Sequence, residues 1–156
     1  MAEDFLTELL EKRMLFLLKR RPYAHEELIR YCLRYSQRKK LVLSPEHIYT
    51  IVTTFMQKHA LTDEQFAKWW IQHRSQFRQR SKKMITHELR QKGLSDELIG
   101  QSMEDNYSDD ISVAREYIAQ RRGLLKNPEK ALARLLRRGF TYSDSKVAIE
   151  QNLNKE

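Results

Sequence analysis

The chain is poor in the residues that build cross-links and tight turns. It has one cysteine, Cys32, among 156 residues, which excludes an internal disulfide and leaves no thiolate set for a metal. Three prolines and four glycines are too few for the many turns of a sandwich or barrel. The glycines never gather into a loop that could cradle phosphate. The longest purely apolar stretch near the N-terminus, Met14 to Leu18, falls far short of a membrane span. Met1-Ala2-Glu3-Asp4 is acidic where a secretory signal is basic. The expectation is a monomer in a reducing cytoplasm with no membrane partner.

Catalytic patterns are also missing. His25 and His87 each precede a glutamate, but the positions four residues on hold Ile29 and Gln91, so the zincin spacing fails. His47, His59 and His73 stand singly. Glu104-Asp105 and Asp109-Asp110 could in principle hold magnesium or work as an acid–base pair. Helix capping explains the second pair more simply, and a small hydrolase is the least favoured reading. Cys32 has apolar neighbours and no activating base, so it reads as core. The sequence predicts no catalytic residue, metal or cofactor.

What is present is helix. Apolar residues make up 40% and charged residues 32% of the chain, and the apolar spacing follows a helical period nearly everywhere. Phe5, Leu6, Leu9, Leu10, Met14, Leu17 and Leu18 form one stripe, stopped by Pro22. A second helix carries Leu28 and Cys32 to about Tyr35, followed by a basic connector from Ser36 to Leu41. Ser44 with Pro45 opens a third; its run of Ile, Val and Thr makes a strand the competing reading. Thr62 and Gln65 fit a capping box before Phe66, Ala67, Trp70, Ile71 and Phe77. Met84, Ile85 and Leu89 lead to Gly93, and Ser95 caps the next helix. Asp109 and Asp110 start a helix predicted to run to Gly123. Asn127-Pro128 starts another that ends at Gly139, and Thr141 or Ser143 caps the last.

The strongest organisational signal is repetition. Leu43-Ser44-Pro45-Glu46-His47-Ile48 aligns with Leu94-Ser95-Asp96-Glu97-Leu98-Ile99, and Lys92-Gly93-Leu94-Ser95 with Arg138-Gly139-Phe140-Thr141. The starts at Ser44, Ser95 and Thr141 are 51 and 46 residues apart, room for about three helices each. The expected fold is all-α: three tandem three-helix repeats, about nine helices, in an elongated, curved array. Their boundaries are 1–60, 61–107 and 108–156. Such an array presents an extended surface rather than a single pocket.

Charge suggests what that surface meets. The formal net charge is +8, which favours anionic partners. It is unevenly spread: +5 over residues 44–92, −4 over 93–123 and +3 over 124–156. Between His73 and Lys92, the seven cations Arg74, Arg78, Arg80, Lys82, Lys83, Arg90 and Lys92 face one acid, Glu88. Arg74 and Arg78 are expected on one helix face. Arg134, Arg137 and Arg138 form a second group, with Lys126 and Lys130 nearby. These ten residues, Arg74 to Lys92 and Arg134 to Arg138, are the candidate contacts to phosphate or to an acidic protein groove. Of the adjacent Trp69 and Trp70, Trp70 shares the apolar stripe, and Trp69 is the candidate stacking surface.

Four blocks taken in order carry a resemblance. Glu26-Glu27-Leu28, then Leu61-Thr62-Asp63-Glu64-Gln65-Phe66-Ala67 followed by Arg74, then His87 through Leu94, then Ala133 through Phe140 resemble the RecX family of recombinase regulators. The likeness runs from about residue 10 to residue 150. It implies three tandem three-helix units without enzymatic activity or cofactor, which bind the RecA recombinase filament on single-stranded DNA and restrain its assembly and activity. The rival reading from the residues is a general single-stranded nucleic-acid-binding helical module.

Overall fold

The computed structural model describes residues 2–155; Met1, part of the acidic N-terminal tetrapeptide, and Glu156 lie outside it. The described residues form nine α-helices and no strand. They run α1 (Ala2–Leu18), α2 (His25–Arg38), α3 (Pro45–Lys58), α4 (Asp63–Gln76), α5 (Lys82–Gln91), α6 (Asp96–Asn106), α7 (Asp110–Ala119), α8 (Pro128–Arg137) and α9 (Tyr142–Leu153). A short 3-10 turn, Arg122–Lys126, precedes α8. The helices fall into three consecutive sets of three, and within each set the third helix packs on both of the first two.

The starts are fixed by side-chain caps. Ser44, Ser95 and Thr141 each accept a hydrogen bond from the backbone N–H three residues on, at 3.1, 3.2 and 3.2 Å. Each satisfies one of the donors that a helix leaves orphaned at its N-terminus. The third helix of every unit therefore begins the same way, as the repeat implied. The ends of the middle helices are equally alike. Gly93 and Gly139 have φ of +88° and +94°, and the following Leu94 and Phe140 donate back to the carbonyls of Leu89 and Leu135. Leu94 and Phe140 are buried, so each turn drops one apolar side chain into the core.

Burial divides into two clusters. One lies inside the first unit, with Leu10, Met14, Leu28, Cys32, Ile48, Val52 and Phe55 almost wholly buried. The other is continuous through the second and third units, from Phe66 and Ile85 to Tyr117, Leu135 and Ile149, and reaches Ala24 just before α2. Each fully buried Leu, Ile or Phe contributes about 1.5–3 kcal/mol of transfer free energy, so the second and third units stand or fall together.

The units join through a device used twice. The first N–H of α2, on His25, donates to Asp63 Oδ1 at 2.9 Å, and the first N–H of α5, on Lys82, donates to Asp110 Oδ1 at 2.9 Å. Both aspartates are the first residue of the next unit's first helix. The same two N-termini also receive the C-terminus of the next unit's middle helix. Lys92 at the end of α5 pairs with Glu27 of α2 at 2.7 Å, and Arg30 of α2 donates to the Gln91 carbonyl at 2.6 Å. Ser81, the N-cap of α5, donates its N–H to the Arg138 carbonyl at the end of α8, at 3.1 Å. Positive helix ends thus meet negative ones; at the second joint a backbone donor of one terminus satisfies a carbonyl orphaned at the other, and at the first joint the Arg30 side chain does so. At α8 the first residue is Pro128, which has no N–H to be capped.

Several sequence expectations are corrected. The second helix continues to Arg38 rather than ending near Tyr35, and the expected connector begins inside it, with Ser36 buried. The helix expected to reach Gly123 stops at Ala119, where the 3-10 turn takes over. The β-branched run at 48–56, by contrast, is helix as expected, held by its Ser44 cap and Pro45, and the competing strand reading falls. Phe77 sits past the end of α4 and is 69% exposed, outside the core assigned to it. Phe5, on the apolar stripe of α1, is also exposed. Arg78 lies beyond α4, so it shares no helix face with Arg74.

A Cβ on Gly139 would collide with Ser81 Oγ, the atom that caps α5 through Met84 N–H. Gly139→Val is therefore expected to cost about 2–3 kcal/mol, from left-handed strain plus a damaged cap. Lys40 has the same left-handed turn after α2, at φ +54°, but ends the one middle helix whose C-terminus has no preceding middle helix to dock on. Lys40→Gly should leave the chemical denaturation midpoint unchanged or raise it, while Gly139→Val lowers it; equal effects at the two positions would contradict the joint.

Candidate nucleic-acid interface

The ten candidate cations separate by what they touch. Arg74 and Arg80 converge on Glu88, with Nε of Arg74 at 3.2 Å and Nη1 of Arg80 at 2.9 Å. The Trp70 indole N–H donates to the same carboxylate at 2.8 Å. Arg74 also lies 4.3 Å from the Trp70 ring centroid, and Lys92 Nζ lies 5.1 Å from it. One acid, one indole and three cations thus form a half-buried knot beside the first joint. Burial, followed by repulsion from Arg80 and its other cationic neighbours, holds the Arg74 guanidinium below its ordinary value despite Glu88. Across that joint, burial pushes Glu27 upward, but hydrogen bonds from Arg21, Lys92 and the Ala24 N–H outweigh it and leave the carboxyl below its usual range. Arg90 is spent on Asp96, at 2.6 Å.

The remaining cations face outward or into a cleft. Arg78, Lys82, Lys83 and Arg137 are exposed. Lys82 and Lys83 occupy the first turn of α5, which carries no acid. Cations at the positive end of a helix work against the dipole, so this is a local cost that the fold does not need. Such a violation marks a candidate site.

The second joint brings the two basic groups of the sequence together. Arg80 and Met84 from the α5 side, Tyr117 from α7, and Arg134, Arg137 and Arg138 from the α8 side line an open cleft of about 330 Å³. Arg138 donates to the Arg78 carbonyl, which ties the loop before α5 to the end of α8. Its guanidinium carbon lies 4.2 Å from the Tyr117 ring centroid, and that of Arg121 lies 4.1 Å away. Burial alone would raise Tyr117, but hydrogen bonds from Arg138 and Arg134, with the charges of Arg138 and Arg121, bring it below its ordinary value.

Arg121 and Tyr117 stand outside the ten residues expected from the sequence. Arg121 sits in the segment whose net charge is −4, so averaging concealed it, and Tyr117 reads in sequence as one more core aromatic. The acids of that segment are largely engaged. Asp109 caps its own helix through Ser112 N–H at 2.7 Å, which holds its carboxyl low, and Asp110 accepts from Lys82 N–H and from the Tyr107 hydroxyl, at 2.9 and 2.7 Å. Trp69 is half-buried against the core and stacks on His73, with centroids 5.2 Å apart. Cys32 is buried and its thiol is pushed up to about 12, which keeps it protonated and unreactive.

Glu88 is the acid on which the first knot depends. Glu88→Gln keeps its shape but removes the charge facing Arg74 and Arg80. It is expected to lower stability by about 1–3 kcal/mol, while raising affinity for a polyanion such as heparin and steepening its salt dependence. Thermal unfolding and heparin retention check the two signs; a loss of both stability and retention would contradict the assignment.

Comparison with known proteins places this geometry. Residues 63–103 match the family model for the second three-helix domain of RecX. A crystal structure of a regulatory protein RecX superposes with a TM-score of 0.65 at 16% identity, over 96% of this chain and 74% of that one. The crystal structure of RecX from Lactobacillus salivarius gives a TM-score of 0.65 at 17% identity, over 95% and 97% of the two chains. No curated protein matches the sequence. The resemblance read from the sequence is thus borne out at this level: the chain shares the fold of the RecX structures along nearly its whole length, and residues 63–103 match the model of the RecX second three-helix domain.

Proposed function

We propose that this protein is a non-enzymatic regulator that binds the filament formed by a RecA-type recombinase on single-stranded DNA and restrains its assembly and activity. The observation that carries this reading is a cationic surface built on a RecX fold: exposed Lys82, Lys83 and Arg137 beside the arginine cleft. Phosphates of the filament's strand, or acidic recombinase loops, are its partners. The exposed acids Glu104 and Asp105 offer the opposite sign to basic recombinase surface. The array, with units at 1–60, 61–107 and 108–156, acts as a cytoplasmic monomer, and of the two acid pairs weighed for catalysis Asp109 and Asp110 are engaged in a cap and a joint.

The test compares wild type with a variant carrying Lys82→Gln, Lys83→Gln and Arg137→Gln. All three positions are exposed, and Gln preserves helix propensity. Wild type is expected to slow ATP hydrolysis by a preformed recombinase filament at substoichiometric amounts, and to bind the filament more tightly than naked strands. The variant should lose most of that inhibition with an unchanged circular dichroism spectrum. Tight binding to naked strands with no effect on the filament ATPase would favour a general single-strand-binding module. In that case the variant's salt slope should flatten by about 0.7 for each phosphate it no longer neutralises.

A further inference from the structure

The cleft at the second joint differs from a merely solvated basic face. Four of its six lining residues are arginines, three from α8 and its C-cap and one from the loop between α4 and α5, and no carboxylate lines it. Arg80 is engaged from outside by Glu88, at 2.9 Å through Nη1. Arg138 is fixed by its bond to the Arg78 carbonyl and its position over the Tyr117 ring. Two guanidinium groups are therefore held in place before any ligand arrives, while Arg137 is exposed and Arg134 half-buried. Pre-ordering matters because less side-chain freedom is lost on binding.

The chemistry of the walls selects the ligand. Guanidinium forks match the oxygens of a phosphate bidentately. The buried Tyr117 ring and the Met84 side chain supply an apolar wall that can flank a sugar or base. The volume, about 330 Å³, lies near the lower end for small-molecule sites. The same arginines hold the Tyr117 phenol below its ordinary value against the effect of burial, as a cleft lined by guanidinium groups without a carboxylate should.

We infer that the cleft between α5, α7 and α8 is a discrete phosphate-binding pocket, taking a phosphate of a nucleotide or of a nucleic-acid strand on Arg80, Arg134, Arg137 and Arg138. Because the pocket spans the joint, an occupant would bridge the second and third units. The inference does not depend on recombinase binding, since the pocket is formed by this chain alone.

The test uses the full chain and begins with inorganic pyrophosphate, followed by phosphorus NMR and calorimetry at moderate salt. Pyrophosphate should bind wild type at least tenfold more tightly than the Arg134→Gln/Arg137→Gln variant. A control with Lys12→Gln/Lys58→Gln, which removes two exposed charges in the first unit, should match wild type. The single variant Arg137→Gln, at an exposed position, keeps the comparison valid if the double variant folds poorly. Near-ultraviolet titration adds a local readout: pyrophosphate should move the Tyr117 phenol transition to higher pH, an effect absent in Tyr117→Phe. ADP and a short oligothymidylate then separate the sources. Tighter binding of ADP supports a free nucleotide, and tighter binding of the oligomer at equal phosphate concentration supports a strand. Equal pyrophosphate affinity in wild type and the Arg134/Arg137 variants, or no binding by wild type at millimolar concentration, would overturn the pocket.

Discussion

The N-terminus of each middle helix is the constraint from which the array follows. At α2 and again at α5 the first backbone N–H is capped by the opening aspartate of the next unit, Asp63 or Asp110, at 2.9 Å in both cases. The same terminus receives the glycine-turned end of the next middle helix, Gly93 or Gly139. Neither terminus is complete within its own unit, because its orphan donors lie next to a neighbour that excludes water. The polar contacts thus fix the position of each unit on the last, while the apolar residues supply most of the free energy. Pro128 at the start of α8 shows the same logic in reverse, since a middle helix without a first N–H requires no such partner.

Charge is then divided between structure and surface. Arg74, Arg80 and Lys92 are held by Glu88, Trp70 and Glu27 near the joints, and Arg90 by Asp96. The cations left over are concentrated where the second joint opens, with Lys82 and Lys83 in the first turn of α5 and the arginines of α8 opposite. The joint that orders the array therefore also orders its positive surface. A long anionic partner meeting that surface would contact two units at once, which gives the repeat architecture a mechanical role in binding.

Much of this was legible in the sequence because it is local. Ser44, Ser95 and Thr141 announce their helices through a side chain that reaches only three residues on, and Gly93 and Gly139 announce theirs through backbone sterics. The non-local features were not legible. Nothing at Asp63 or Asp110 distinguishes a residue that caps a helix 38 or 28 residues away from one serving its own first turn. The basic run 74–92 read as one patch, yet folding sends Arg74 and Lys92 inward to acids, sets Arg80 between Glu88 and the cleft, and leaves Lys82 and Lys83 outside. Tyr117 joins the cleft, with Arg121 stacked on its ring, only because folding brings α7 to the end of α8. The early stop of α7 at Ala119 follows from the 3-10 turn at Arg122–Lys126, whose sequence carries no breaker except Gly123.

The central claim, that the joint between the second and third units forms the binding surface, is tested most directly by hydrogen exchange of the protein bound to a preformed recombinase filament on single-stranded DNA. The account predicts that added protection centres on residues 78–84 and 134–139, with little change across α1 and α3. Protection confined to the first unit, with the second joint exchanging as in the free protein, would contradict it.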